Sequence, residues 1–220
     1  LRSFDHAALY QALTRSRCVY CAFIFDTDIL DNLPRADRRV EFIHASVLEL
    51  DQALRKLGGN LIVRHACAAR DIPALAAELQ VDAVFTNHDY EPQAIKRDAD
   101  VAAQLRAQGR ALLTFKDQVV FEKDEVLSLS EKPFSVFSPY KNAWLKRLQS
   151  DHHADTSTSY VAPCQVDQHA SALAAHSAAP IPTLAELGFQ TTNLTELGIE
   201  TGMHGGQILF DDFASRMGQY

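Results

Sequence analysis

Within the stretch FTNHDYEPQAIKRDADV, residues 85–101, an apolar run stops, and Asn87, His88, Asp89, Glu91, Arg97 and Asp98 follow in quick succession. Asp89 and Glu91 stand just ahead of Pro92, a residue type favoured at the first position of a helix, where the helix dipole welcomes negative charge. One carboxylate is enough to cap such a helix. Two of them, beside an amide and an imidazole, make a set of acceptors and donors able to hold a polar ligand. The plain alternative is that all are solvated. Asp98 poses a separate problem, because it falls on the apolar stripe of the same helix, between Ala94 and Val101. A carboxylate there needs a partner. Adjacent Arg97 points about a quarter-turn away, and an arginine or backbone N–H is expected to serve ahead of a ligand.

The remaining reactive side chains carry weaker patterns. Cys18 and Cys21 form C-x-x-C inside CVYCAFIF, which reads as a buried strand. Side chains three apart on a strand face opposite ways and do not readily share a metal or a disulfide. They read as small core hydrophobes. His152, His153, Cys164 and His169 match no zinc spacing and lie in a stretch that reads as connector. No G-x-G-x-x-G, phosphate loop, H-E-x-x-H or nucleophile elbow is present. An ordinary dinucleotide or triphosphate site and a metal centre are therefore not expected.

The elements that must position these groups alternate between helix and strand patterns. A short helix over DHAALYQALTRS takes Asp5 as its N-cap, and a strand follows at 18–25. The helix at 36–57 repeats Val40, Ile43, Val47, Leu50, Leu54 and Leu57 at spacings of three and four, then stops at Gly58-Gly59. Strands at 61–65, 82–86 and 111–115 alternate with a helix capped by Asp71 and one over 92–108. Apolar strands alternating with helices imply a parallel sheet covered on both faces. Right-handed crossovers make it a Rossmann-like, doubly wound α/β sheet, with ligands beyond the carboxyl ends of its strands. Asp26, Asp28, His65, Arg70 and the 87–98 cluster all fall at or beyond those ends. After residue 116 the pattern changes. Ser138 is the expected N-cap of a helix with Pro139 at its first position, 149–200 reads as a connector lying on other surfaces, and a helix begins near 202–213.

The bulk composition is that of an ordinary soluble globular protein, with 47% hydrophobic and 22% charged residues over 220 positions. No apolar run approaches the ~20 residues of a membrane helix, and no signal-peptide pattern opens the chain. A formal net charge of −7 argues against this segment gripping a nucleic-acid backbone unaided. Four cysteines without a disulfide framework point to a reducing, cytoplasmic compartment.

Taken together, FTNHDYEPQAIKRDADV, VFEKDEVLSLSEKPFSVFSPYKNAWLKRL, GNLIVRH and GMHGGQILFDDF resemble the amino-terminal part of DNA photolyases and cryptochromes. The likeness is to bacterial members that repair cyclobutane pyrimidine dimers. LRSFDHAAL resembles the end of the family's opening motif, an R-x-D-L-R that runs into D-N. The resemblance implies an antenna-binding α/β domain over 1–148, a connector over 149–200 and the first helix of an all-α FAD-binding domain over 201–220. It implies an enzyme, in its full length, in which an antenna passes excitation to reduced FAD. The flavin then donates an electron to a dimer flipped out of damaged DNA, a step for which photolyases are themselves a standard example. FAD belongs to the domain beyond this segment, so the segment alone is expected to repair nothing. A monomer acting without a membrane is expected. A cryptochrome photoreceptor and a stand-alone Rossmann-like nucleotide-binding module are the alternatives.

The same resemblance assigns site residues. In members that bind a hydroxylated deazaflavin, an aspartate and a glutamate two apart face the chromophore and match Asp89 and Glu91; an arginine early in the long helix matches Arg39. Members that bind methenyltetrahydrofolate use an Asn-Glu pair where this chain has Gln93-Ala94, so the deazaflavin type is favoured. Trp144 resembles a structural position. By the family pattern the first, central strand would precede Leu1 and is missing here, leaving two half-sheets with 18–25 and 82–86 across a gap or abnormally paired.

Overall fold

In the computed structural model, which describes residues 1–151, 164–177 and 179–219, four short strands form two separate parallel pairs. β1, Cys21–Asp26, pairs with β2, Leu61–Ala66, placing Phe23 opposite Val63 and Phe25 opposite His65. β3, Ala83–Asn87, pairs with β4, Ala111–Phe115, placing Phe85 opposite Leu113. Among the described residues no ladder joins β1 to β3, which is the two-half-sheet arrangement expected from the sequence. The helices are α1, Ala7–Arg15; α2, Thr27–Leu30; α3, Arg38–Lys56; α4, Ala68–Glu78; α5, Pro92–Ala107; α6, Phe137–Asp151; and α7, Gly202–Arg216.

Each half-sheet has its own core. Val40, Val47, Leu50 and Leu54 of α3 meet Phe25, Leu61 and Val63 of the strands and Ala12 and Leu13 of α1. Four of the residues read at three-and-four spacing thus form the buried face of α3, whereas Ile43 is exposed and Leu57, at its C-cap, is half-buried. A smaller cluster of Ala76, Val101 and Leu105 packs with Val84 and Leu112. Successive side chains on β3 divide between the two cores: Val84 enters the small one, while Phe85 packs against the large one. Period-two alternation thus makes β3 the place where the two cores meet.

Local chemistry explains several joints. Pro73 lies inside α4 and has no N–H for the carbonyl of Ala69, one helical turn back. The side chain of Gln104 on α5 donates to that carbonyl at 2.8 Å, so the interruption ties α4 to α5. At the end of α3, Gly58 takes φ +93°, which a side chain would resist, and a Cβ on Gly59 would stand 3.3 Å from Leu173. The absence of that Cβ lets residues 173–174 lie beside the strand start, where Val19 forms a parallel bridge with Leu173. Val166, Leu173, Leu187 and Phe189 are all buried in the larger core. The stretch read as a connector lying on other surfaces is in part core.

Element starts differ from expectation in three places. The N-cap of α1 is His6, whose Nδ1 accepts from the Leu9 N–H at 3.1 Å; Asp5 instead takes φ 43° and accepts from the Cys164 N–H at 2.9 Å. α4 begins at Ala68, ahead of Asp71, and Asp71 pairs with Arg64 at 3.3 Å. α6 begins at Phe137, so Ser138 lies within its first turn. His152 and His153 lie outside the described residues. The second half of α7 exposes Ile208, Leu209 and Phe210.

The first turn of α1 holds the two halves together. Ala7 N–H donates to Asp117 at 2.8 Å, Ala8 N–H donates to Asn87 at the end of β3 at 2.8 Å, and Arg2 pairs with Asp117 at 2.9 Å. Burial holds the His6 imidazole below its ordinary 6.5, opposed by the charge of Asp117 and assisted by that of Arg2. The unfolded chain therefore takes up the proton first. Stability is full above about pH 6.5 and is lost as pH falls through the depressed folded value, with a slope of at most about 1.4 kcal/mol per pH unit. Urea midpoints measured from pH 7.5 to 5 should fall more steeply for the wild type than for His6→Asn, which keeps a good N-cap without the titration. Parallel curves would remove His6 as the cause.

Candidate functional site

Beyond the end of β3 the polar cluster separates by direction. Asn87 faces α1, accepting from the Ala8 N–H. His88 and Tyr90 both reach Glu122, in the loop after β4, at 2.8 and 2.7 Å. Asp89 and Glu91 do neither. Asp89 Oδ1 accepts the Glu91 N–H at 3.2 Å, an Asx-type turn that closes the approach to α5. Glu91 occupies the N-cap position with φ −72° and ψ 138° and makes no side-chain cap bond. Its carboxylate is exposed, Asp89 is half-buried, and Pro92 takes the first helical position as the sequence indicated. The capping duty falls on neither carboxylate of the pair in the usual way, which leaves acceptor capacity on both.

Asp98 resolves differently from the geometric expectation. Arg97 does pair with it, Nε and Nη2 lying 3.0 and 2.8 Å from the same oxygen. Neighbours on a helix do not face each other at the Cβ, but a long arginine can fold back over the turn. A structural arginine partner therefore satisfies the carboxylate on the apolar stripe.

Arg39 sits at the start of α3, beyond the end of β1. Asp37, the N-cap, accepts the Arg39 N–H at 2.8 Å and holds its guanidinium at 2.5 Å, while 72% of the arginine side chain remains exposed. The hydrogen bond from Arg39, with backbone N–H bonds from Arg39 and Val40, outweighs desolvation and draws the Asp37 carboxyl down to about 2. An open cleft of about 630 Å³ adjoins this turn, lined by Ala36, Asp37, Arg38, Arg39, Thr192 and Asn193. A second, of about 280 Å³, lies further along α3 beside Glu41 and Ala45. Asp89 and Glu91 line neither cleft. The structure thus brings Asp89 and Glu91 together and places Arg39 at a separate turn. Among the described residues no hydrogen bond or ion pair joins it to either carboxylate; its partner is Asp37.

Sequence reasoning did not anticipate the groups that hold the cluster. Glu122, which holds His88 and Tyr90, comes from a loop without periodicity. The one local signal was Glu122 three residues ahead of Glu125, and Glu125 does accept the Glu122 N–H at 2.7 Å. Between β1 and β2, Asp26 Oδ1 accepts from the N–H groups of Asp28 and Ala68, and Cys67 donates to Asp28, which ties the end of β1 to the start of α4. Cys21 is a half-buried thiol pushed up to about 11 by desolvation, Cys18 is exposed rather than in the core, and all four cysteines are free.

Fold and site together define a parallel α/β protein of the doubly wound class, with polar groups gathered beyond the carboxyl ends of β1 and β3. The chain belongs to the DNA photolyase family, whose model matches residues 1–160. The deoxyribodipyrimidine photo-lyase of Synechococcus sp. is 32% identical over 191 residues, covering 86% of this chain and 38% of that protein. That of Halobacterium salinarum is 33% identical over 175 residues, covering 78% and 34%. The chain therefore spans little more than a third of these relatives. Among solved structures, the class III photolyase from Agrobacterium tumefaciens shares the fold, with a TM-score of 0.73 at 22% identity over 96% of this chain and 42% of that one. The archaeal photolyase from Sulfolobus tokodaii is 30% identical, with a TM-score of 0.53 over 58% of this chain and 29% of that one.

Proposed function

We propose that this chain is the antenna-holding part of a deoxyribodipyrimidine photolyase, an enzyme that uses light to split cyclobutane pyrimidine dimers in damaged DNA. The observation that carries the reading is the family match over residues 1–160, with Asp89 and Glu91 beyond β3 making no hydrogen bond to Glu122 among the described residues. Cryptochrome relatives are less similar, 26% identical for the Gloeobacter violaceus DASH type and 24% for mouse Cryptochrome-1. Residues 1–148 would form the antenna domain, 149–200 the connector and 201–220 the start of the FAD-binding domain. The whole protein would act as a cytoplasmic monomer, a location supported by the free cysteines; no helix among the described residues is long and apolar enough to cross a membrane.

The acceptor set suits a hydroxylated tricyclic ring better than a folate. Asp89 and Glu91 offer acceptors for ring and side-chain hydroxyls, and Arg39, paired with Asp37 at its own turn, keeps 72% of its side chain exposed. Ala94, where a folate-type carboxylate would stand, is buried in the helix face. The Sulfolobus tokodaii relative holds two FAD molecules, and its flavin ring is the same general shape. Such a chromophore supplies absorption of near-ultraviolet or blue light; the protein fixes its distance and orientation.

The test is a comparison of two ligands and one reaction. The full-length protein should bind deazaflavin more tightly than methenyltetrahydrofolate, with a visible absorption band. It should also split thymine dimers in illuminated DNA but not in the dark. Repair absent under illumination, with FAD bound and reduced, would exclude the lyase in favour of a photoreceptor.

A further inference from the structure

The turn that carries Asp89 and Glu91 is gripped on its other side. Glu122 receives the His88 Nδ1–H at 2.8 and 3.0 Å from its two oxygens and the Tyr90 hydroxyl at 2.7 Å. His88 is fixed further by the Thr114 hydroxyl, 2.8 Å from its Nε2, and by its own N–H, which donates to the Phe115 carbonyl at 2.7 Å. Gln118 donates to the His88 carbonyl at 3.4 Å. Glu122 is anchored in turn, because its N–H donates to Glu125 and Glu125 pairs with Lys116 at 2.8 Å. The clamp therefore belongs to β4 and the loop after it, whereas the carboxylates it governs precede α5.

We propose that Glu122 is a positioning residue, which aims Asp89 and Glu91 at the ligand by drawing His88 and Tyr90 to the opposite side of the turn. The inference rests on the chromophore reading above. His88 and Tyr90 alternate with Asp89 and Glu91 along the chain, so holding the first two to one carboxylate fixes the backbone from which the other two project. A carboxylate suits the task because it accepts from two donors at once without offering a competing one. The grip is also visible in the Tyr90 phenol, which is pushed up to about 12, by desolvation first and then by its hydrogen bond to Glu122 and that carboxylate's charge.

The experiment uses the full chain with Tyr90→Phe, Glu122→Gln, Asp89→Ala and Glu91→Ala, titrated with deazaflavin by fluorescence. Tyr90→Phe and Glu122→Gln should each weaken binding about tenfold, the equivalent of one hydrogen bond's worth of alignment. Both should also speed exchange of the Glu91 amide that Asp89 holds, and Glu122→Gln should lower the Tyr90 titration. A merely structural role would shift the unfolding midpoint and leave affinity per folded molecule unchanged. Wild-type affinity and wild-type Glu91 exchange in Tyr90→Phe and Glu122→Gln, with weakened binding in Asp89→Ala, would overturn the positioning role and leave the chromophore site standing. Undiminished binding in both Asp89→Ala and Glu91→Ala would bring down the chromophore site itself, and the positioning role with it.

Discussion

Replacing Asp89 and Glu91 together by alanine is expected to weaken deazaflavin binding about a hundredfold or more, with almost no change in thermal unfolding. A hydrogen bond to an ionised group contributes roughly 1.5–3 kcal/mol, and two such bonds would give about 10²–10⁴ in affinity before solvent discounts them. Glu91 is exposed in the ligand-free chain, so the lower end is the realistic expectation. Stability should barely respond. The only internal bond either side chain makes among the described residues is the one from Asp89 to the Glu91 N–H, at 3.2 Å, and Pro92 still starts the helix. Isothermal titration and a melting curve on the same samples separate the two quantities. A drop in melting temperature matching the loss of binding would mean that the carboxylates serve the fold.

The second large effect is expected at Leu105. It is 0% exposed and sits with Ala76 and Val101 in the smaller core. Leu→Ala at such a site costs about 2–5 kcal/mol, depending on how far the surroundings collapse. Here the core is small and its strands, β3 and β4, share no ladder with β1 and β2, so the loss should fall on one half. Native-state hydrogen exchange should speed strongly across 83–87 and 111–115 and little across 21–26 and 61–66. Uniform acceleration would show instead that α1, bridging through Asn87 and Asp117, binds both halves into one cooperative unit.

Legibility along the chain followed periodicity. α3 could be read to within about two residues because its apolar side chains recur at helical spacing and two glycines end it. The four strands were legible as apolar runs of the right length, although β1 starts at Cys21 because Val19 is bridged to Leu173 instead. The 164–194 stretch was not legible as core. Val166, Leu187 and Phe189 are buried there on 3-10 and irregular turns, and such turns impose no repeat that a reader could find.

The sequence by itself determined the parallel α/β class, the split into two half-sheets and the gathering of acidic groups where β3 hands over to α5. The class and the acidic cluster follow from local preference, namely strand and helix periods, a proline at a helix start, and charge at its positive end; the split was legible only through the family resemblance. Only the tertiary structure decided which of those groups face one another. It brought Glu122 from 34 positions away to hold His88 and Asp117 from 110 positions away to hold the Ala7 N–H. Such choices depend on where separate loops come to rest in space, and a sequence pattern carries no record of contacts between segments that share no period.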